Sequence, residues 1–207
     1  MTRGVARTTA PVRSRTLPVD LEARRILGVT QGLFFLAVLW CLVVYHGHNA
    51  QTDGISYYGV YPPTIAILVG GYGAAGVGLW WTSLRLRRED ALAGTALGLR
   101  LIAVGLGLLL VTPYDRGPVW NWSHMAIGVS VALIQLLVSV RLLRELPSGG
   151  VVAGFSVQLL GGVLAALSLP DWKFDFLLLG QIVYQVGFAW CMLEWAQLLG
   201  ARATASA

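Results

Sequence analysis

The sequence predicts an all-α polytopic membrane protein, a bundle of six transmembrane helices with both termini in the cytoplasm. The 207-residue chain is 56% hydrophobic and only 12% charged, whereas soluble domains are usually ~25% charged. Its mean hydropathy is +0.68. It also contains six continuous apolar runs, each near the ~20 residues that a helix needs to cross a bilayer. These features argue against a soluble enzyme and against a nucleic-acid partner, despite the net charge of +5.

The six apolar runs have recognisable beginnings and ends. In order, they are 26–45, 60–84, 91–112, 122–143, 150–169 and 174–199. Pro62 and Pro63 open the second run, as suits a first helical turn, while the third, fifth and sixth runs end at Pro113, Pro170 and Gly200. None alternates polar and apolar residues as a barrel strand would. The chain therefore divides into a disordered basic cytoplasmic tail (1–25), a six-helix transmembrane domain (26–199) and a short cytoplasmic tail (200–207).

Basic residues are concentrated on one side of the predicted bundle. Only Arg116 and Lys173 fall on the side opposite the N-terminal tail. On the side of the tail lie Arg3, Arg7, Arg13, Arg15, Arg24, Arg25, Arg85, Arg87, Arg88, Arg141, Arg144 and Arg202. Because loops rich in Lys and Arg stay in the cytoplasm, both termini are expected there. The preference for arginine over lysine is typical of a GC-rich bacterial genome, and indicates the bacterial cytoplasmic membrane.

Small and polar residues within the runs predict how the helices hold together. Lipid tails are as apolar as leucine, so helices associate in the bilayer through close packing and interhelical hydrogen bonds. Residues that would form such bonds are Gln135, Gln158, Gln181, Tyr184 and Gln185. Glycines that would form packing grooves recur in the second, third and fifth runs: Gly70, Gly71, Gly73, Gly76, Gly78, Gly94, Gly98, Gly105, Gly107, Gly150, Gly154, Gly161 and Gly162.

Two charged residues lie at depth within the runs. Arg100 is near the middle of the third run, and Glu194 lies toward the cytoplasmic end of the sixth. An unpaired charge at the centre of a bilayer costs ~2.5–3.5 kcal/mol on insertion scales. We therefore expect a buried charge pair between Arg100 and Glu194. The alternatives are that both side chains snorkel to the interface, or that they form a proton or substrate relay.

The residues that are candidates for metal binding or catalysis lie on the outer side of the predicted bundle. His46, His48 and His124 are candidate ligands of a metal, with zinc as the expected ion, because catalytic zinc sites use about three such ligands and a water. A catalytic acid–base site would draw on four residues: Asp53, Ser56, Asp115 and His124. Alternatively, these side chains only cap helices and make hydrogen bonds at the loop ends, where a membrane protein places its polar residues. The sequence predicts no cofactor, and zinc is the candidate ion only for the alternative in which the histidines form a metal site.

Two segments carry a family resemblance. They are 46–59, which follows the first helix, and Thr112-Pro-Tyr-Asp115, which leads to His124 at the head of the fourth. Both resemble the bacterial integral membrane family catalogued as domain of unknown function 998, whose members show an acid, a Ser and a Gly after the first helix, then a Pro/Asp loop and a His. Tyr57 and Tyr58 depart from this pattern. Over about residues 26–199, the resemblance implies the helical architecture and an outer site formed by Asp53, Ser56, Asp115 and His124. It implies no reaction.

Three functions remain open on the sequence alone. Short loops and glycine-rich faces favour an accessory, sensor or assembly factor, which would bind a membrane-protein partner or a second copy of itself in addition to the lipid bilayer. Arg100 and Glu194 would instead serve a small transporter or channel subunit. The outer histidines and acids would serve a metal-dependent or acid–base hydrolase or transferase that acts on a lipid or envelope substrate.

Overall fold

The computed structural model describes residues 19–86, 92–168 and 174–205. In these ranges the chain forms seven α-helices and no strand: α1 (Val19–Val44), α2 (His48–Asp53), α3 (Ile65–Leu86), α4 (Ala93–Val111), α5 (Pro118–Glu145), α6 (Gly149–Ala166) and α7 (Leu177–Ala205). Two 3₁₀ turns, Gly54–Gly59 and Tyr114–Arg116, lie between helices. Six helices, α1 and α3 to α7, are long and apolar enough to cross a membrane. The predicted all-α six-helix bundle is confirmed, and indicates a multi-pass membrane protein.

The first and last helices are longer than their apolar runs. Because α1 begins at Val19 and α7 continues to Ala205, helical structure extends beyond the predicted tail boundaries at residues 25 and 200. Glu22 lies in the first turn of α1, where a carboxylate interacts favourably with the helix dipole. Its Oε2 atom is 3.6 Å from Nη2 of Arg85 at the end of α3. Residues 1–18, and with them the predicted disorder of the tail, lie outside the described residues.

Six crossings place the two ends of the described chain on the same side of the bundle. The opposite side, called the outer side in keeping with the predicted orientation, carries α2, both 3₁₀ turns and the connection from α6 to α7. α1 packs against α3 and α7, α3 against α4, and α4 against α5, while α6 packs mainly against α7. α2 and the turn Gly54–Gly59 also contact α7. α2 and the two 3₁₀ turns therefore pack against the long helices rather than extending from them.

The closest helix pair is α6 with α7. A Cβ atom added at Gly154 would lie 2.9 Å from the backbone nitrogen of Cys191, and one added at Gly180 would lie 2.8 Å from Cα of Ala165. Backbone atoms of a packed helix cannot give way, so only glycine fits. Eight of the glycines predicted to form packing grooves are this close to another helix, judged by the contacts of an added Cβ atom: Gly71, Gly78, Gly94, Gly98, Gly105, Gly150, Gly154 and Gly161. Those whose added Cβ would meet nothing within 4 Å are Gly70, Gly73 and Gly107.

Polar side chains join the helices within the bundle. Gln135 of α5 and Gln185 of α7 donate to each other's side-chain oxygens, at 3.0 and 3.2 Å. Tyr184 donates its hydroxyl to the carbonyl of Ala132. These interhelical bonds confirm the prediction for three residues. Gln158 is different, because its amide is fully buried and neither of its polar atoms has a hydrogen-bond partner within the described chain.

The predicted ion pair between Arg100 and Glu194 is not among the ion pairs that the described residues form. Arg100 Nε donates to Ser83 Oγ on α3 at 3.2 Å, and its Nη2 is buried without a hydrogen-bond partner. Glu194 lies against Gly150 of α6. The reason is helix arrangement: α4 packs against α3 and α5, whereas α7 packs against α6 and α1. The two charged residues that motivate the transporter alternative therefore lie against different helices.

Candidate functional site

Ser56 and His124 meet on the outer side of the bundle. Ser56 lies in the 3₁₀ turn Gly54–Gly59, and His124 lies in the second turn of α5. Ser56 Oγ is 2.7 Å from His124 Nε2, and both residues are half-buried. A hydroxyl within hydrogen-bond distance of an imidazole is the arrangement of a nucleophile and its general base. The structure therefore brings together two of the four predicted catalytic candidates.

The contact made by the second ring nitrogen of His124 determines which nitrogen carries the proton and which one can accept a proton from Ser56. His124 Nδ1 is 2.7 Å from the backbone carbonyl oxygen of Thr112. Because a carbonyl oxygen only accepts hydrogen bonds, Nδ1 must carry the proton. In the neutral imidazole, Nε2 is then an acceptor that faces the hydroxyl of Ser56. The carbonyl of Thr112 thus orients the ring, as a carboxylate does in a serine hydrolase triad.

Asp53 approaches the dyad through a tyrosine. Tyr114, in the turn Tyr114–Arg116, donates its hydroxyl to Asp53 Oδ2 at 2.8 Å, and its ring centroid is 5.8 Å from that of His124. Burial, and next the hydrogen bond to Asp53, raise the pKa of Tyr114 well above its ordinary value. The phenol therefore stays protonated and links the two outer connections. Asp115 is exposed in the same turn. It therefore lies near the site but does not bond to the imidazole of His124.

The dyad opens on a small cavity between α3 and α4. Its volume is about 50 Å³, and its polar end is formed by Ser56, Tyr114 and His124. The other walls are mainly apolar: Gly59, Val60, Ile65, Leu68, Val69, Tyr72, Leu109, Leu110 and Pro113. This combination of apolar walls and a few converging polar groups resembles the lining of small-molecule sites, but the volume is well below the ~300–1,000 Å³ that such sites usually have.

The three histidines do not form the predicted metal site. His46 is exposed, and His48 Nδ1 lies 3.7 Å from Asp175 Oδ2, with most of both side chains exposed. His124 is held by Ser56 and a backbone carbonyl instead. Among the described residues, no group of three His, Cys, Asp or Glu side chains is placed to hold a metal ion. The hypothesis of zinc bound by these three histidines is therefore not supported by their arrangement.

The turn that carries Ser56 is anchored on both sides. Gln181 of α7 accepts a 2.7 Å hydrogen bond from the backbone N–H of Ile55. Tyr58 is fully buried and donates its hydroxyl to the carbonyl of Tyr45 at 2.9 Å. Burial raises the pKa of Tyr58 to about 12, so this bond persists at neutral pH. The turn is consequently fixed to both α1 and α7.

Sequence reasoning missed three contributors to the site. Thr112 acts through its backbone carbonyl, which no residue-type pattern can mark. Tyr114 lies within the segment Thr112-Pro-Tyr-Asp115, in which the sequence pattern indicates the neighbouring acid, Asp115, as the candidate. Gln181 was assigned to interhelical bonding, whereas it bonds to an outer turn. Only Tyr114 carries a usable sequence signal, because its side-chain hydroxyl is adjacent to the candidate Asp115.

Comparisons with known proteins give no match for this chain. No family model matches it, and no curated protein or solved structure is significantly similar to it. The resemblance to domain of unknown function 998 therefore stays a prediction, and function must be inferred from the side chains themselves.

Proposed function

We propose that this protein is an outer-face acid–base hydrolase or acyltransferase, with Ser56 as its nucleophile and His124 as its general base. The observation that carries the proposal is the 2.7 Å contact between Ser56 Oγ and His124 Nε2, at the polar end of a cavity. A surface serine that merely caps a helix would need neither an oriented imidazole nor an adjoining apolar pocket. Acyl transfer is the reaction class that an activated serine performs most generally.

The proposed reaction has two halves. Ser56 Oγ attacks the carbonyl carbon of an ester, and His124 Nε2 takes the hydroxyl proton. The ester C–O bond then breaks, the proton passes from His124 to the departing alkoxide, and the acyl group stays on Ser56. Water or a second alcohol attacks this acyl group and gives its proton to Nε2, which returns it to Ser56 Oγ. The products are a carboxylic acid or a new ester, and both side chains are regenerated.

Two neighbours support these steps. The carbonyl of Thr112 accepts from Nδ1–H, so it stabilises the imidazolium that forms when Nε2 takes the proton. Tyr72 lines the same cavity, and its phenol hydroxyl is a hydrogen-bond donor of the kind that stabilises a developing oxyanion. One such donor contributes ~10²–10³ in kcat in other acyl-transfer enzymes. We propose Tyr72 in this role.

Labelling with an alkyl fluorophosphonate tests the proposal directly. An activated serine displaces fluoride from phosphorus, forming a covalent phosphonate ester that mass spectrometry locates on Ser56. We expect no adduct on Ser56→Ala, and labelling slower by ~10²-fold or more in His124→Asn, the usual range for loss of a general base. Labelling of the native chain should also slow in acid, where His124 becomes protonated, and this pH dependence should vanish in His124→Asn.

Ser123→Ala is the matched control. Ser123 is adjacent to His124 and half-buried like Ser56, so it reports any general effect of losing a hydroxyl near α5. Gel-filtration profiles in detergent check that each variant folds. If folded native protein is labelled no faster than Ser56→Ala, the enzyme proposal fails. The accessory, sensor or assembly role would then be the better proposal, and co-purification of a stoichiometric membrane partner would test it.

We further propose that the bundle lies in a bacterial cytoplasmic membrane with both termini inside. The support is the arginine-rich composition and the distribution of arginines along the chain. In that orientation, the Ser56–His124 dyad would face the outer leaflet and the envelope. The resemblance to domain of unknown function 998 is in keeping with the same placement. Cysteine variants at Ser123 and Gln197, labelled from outside intact cells, would test the orientation, with only Ser123→Cys expected to react.

A further inference from the structure

We propose that the substrate of the dyad is the acyl ester of an outer-leaflet lipid without net negative charge, which enters sideways from the bilayer between α3 and α4. The inference rests on the proposed function and adds to it the route and the class of substrate. Three observations support it: the walls of the cavity, its size and the charge around its mouth.

The cavity is bounded by residues that also form the lipid-facing surface. Ile65 and Val69 of α3 line the cavity, and they are 37% and 43% exposed on the outside of the bundle. Opposite them, Leu109 and Leu110 in the last turn of α4 line it and are partly exposed. In a transmembrane helix, an exposed apolar side chain contacts acyl chains. These four side chains therefore lie between the cavity and the hydrocarbon region of the bilayer, at the place where the substrate would enter.

The cavity is too small to hold a whole lipid. A volume of about 50 Å³ exceeds the ~10–15 Å³ that one water requires by only a few-fold. It can hold an ester group and the first carbons of a chain. The remainder of the substrate must lie outside, and the apolar side walls place that remainder among the lipid tails rather than in water.

The charge around the mouth selects against anionic head groups. Close to Tyr114, which lines the cavity, the described chain carries two carboxylates, Asp53 and Asp115, and one arginine, Arg116. The sequence adds Asp171 and Lys173 to the same side, and these two charges cancel. A phosphate-bearing head group with net negative charge would therefore meet like charges, which is unfavourable. A neutral or zwitterionic head group would not.

Val69→Trp blocks the sideways route, and Val77→Trp is its matched control. Val77 is also on the lipid-facing side of α3, at 67% exposure, but does not line the cavity. The purified full-length chain is reconstituted in phosphatidylcholine vesicles with methanol as an additional acceptor, and released fatty acid and methyl ester are measured. We expect Val69→Trp to lower this rate roughly ten-fold or more relative to Val77→Trp. Ser56-dependent hydrolysis of water-soluble p-nitrophenyl acetate by the same variant measures how much of the loss comes from the altered cavity itself, and the loss of the lipid reaction should exceed it.

The second arm compares head groups. Phosphatidylglycerol vesicles should react about ten-fold more slowly than phosphatidylcholine vesicles at low salt, with a smaller difference at high salt, because mobile ions screen the repulsion. Equal rates, or faster reaction of phosphatidylglycerol, overturn the charge argument. Equal losses of lipid and acetate hydrolysis in Val69→Trp overturn sideways entry. Ser56-dependent acetate hydrolysis without any lipid reaction overturns the lipid substrate but leaves the dyad standing, whereas loss of both activities in the native chain counts against the proposed function itself.

Discussion

The backbone N–H of Ile55 donates a 2.7 Å hydrogen bond to the side-chain oxygen of Gln181, which lies 126 residues later on α7. Ile55 immediately precedes Ser56, and Gly54 on its other side has a left-handed backbone conformation with φ of 72°. An added Cβ at Gly54 would collide with the Gln181 amide. The position of the proposed nucleophile is thus set by a side chain on a helix that does not itself border the cavity.

Gln181→Leu should slow fluorophosphonate labelling of Ser56 roughly ten-fold, because small misplacements of a reacting group are costly. Gln181→Glu keeps an acceptor oxygen and should restore most of the rate. Labelling of each variant is compared with its melting temperature in detergent. Gln197→Leu, an exposed change on the same helix, is the control. A loss of melting temperature without a change in labelling rate would show that Gln181 supports the fold but does not position Ser56.

Much of the fold could be predicted because hydropathy alone specifies membrane helices. The six apolar runs correspond to α1 and α3 to α7. The positions of the connections follow from the positions of these helices. The failure at Arg100 and Glu194 has a physical cause. Hydropathy fixes the depth of a residue along a helix but not which helices become neighbours, and α4 and α7 are not principal neighbours. Depth was therefore a poor guide to pairing.

The candidate site could be predicted in part. Ser56 and His124 were named from their residue types and their place after predicted spans, but their contact depends on a tertiary approach across 68 residues. The expected acid partner of His124 was Asp53 or Asp115. Instead, a backbone carbonyl orients the imidazole, and Asp53 bonds to Tyr114. Every residue has a carbonyl, so this role leaves no trace in a sequence.

Tyr114→Phe should make the protein less sensitive to alkali. The pKa of Tyr114 is raised from 10.0 by burial and by Asp53, so the folded chain disfavours its anionic form. The resulting contribution to the free energy of unfolding is fully present below pH 10 and is lost as the pH rises toward the folded-state pKa of Tyr114. Thermal stability of the native chain should therefore fall more steeply above pH 10 than that of Tyr114→Phe. Tyr114→Phe also loses the hydroxyl bond to Asp53, so its stability at pH 7 should be lower, and parallel pH curves for the two proteins would contradict the assignment.

The paired amides of Gln135 and Gln185 should show strong coupling. They bond to each other twice and, with Gln31 and Tyr72, line a cavity of about 10 Å³, near the size of one water. Gln185→Leu leaves the buried amide of Gln135 without its partner, which should cost ~1–2 kcal/mol. Replacing both by Leu removes the unsatisfied groups, so the double variant should be more stable than Gln185→Leu. Detergent unfolding measures Gln135→Leu, Gln185→Leu and the double variant, and additive losses would show that the two amides do not depend on each other.

Gly161→Ala and Gly73→Ala should have opposite effects. A Cβ at Gly161 would lie 2.7 Å from both the carbonyl oxygen of Gly180 and Cα of Tyr184, so α6 and α7 must separate, at ~1–3 kcal/mol. Gly73 has nothing within 4 Å of an added Cβ, and alanine there restricts the unfolded chain, giving no loss or a small gain. Unfolding in detergent gives both free energies. A marked loss at Gly73 would indicate instead that this face of α3 packs against another molecule.

Arg100 and Glu194 should behave as independent sites. Because Arg100 bonds to Ser83 on α3 while Glu194 lies against Gly150 on α6, removing one charge should not change the effect of removing the other. In a double-mutant cycle of Arg100→Gln and Glu194→Gln, the free energies of unfolding should add within ~0.3–0.5 kcal/mol, as for residues without shared partners. Ser83→Ala is the positive control, since its cycle with Arg100→Gln should show coupling. An interaction energy between Arg100 and Glu194 well above that range would mean that the two charges do pair in the membrane.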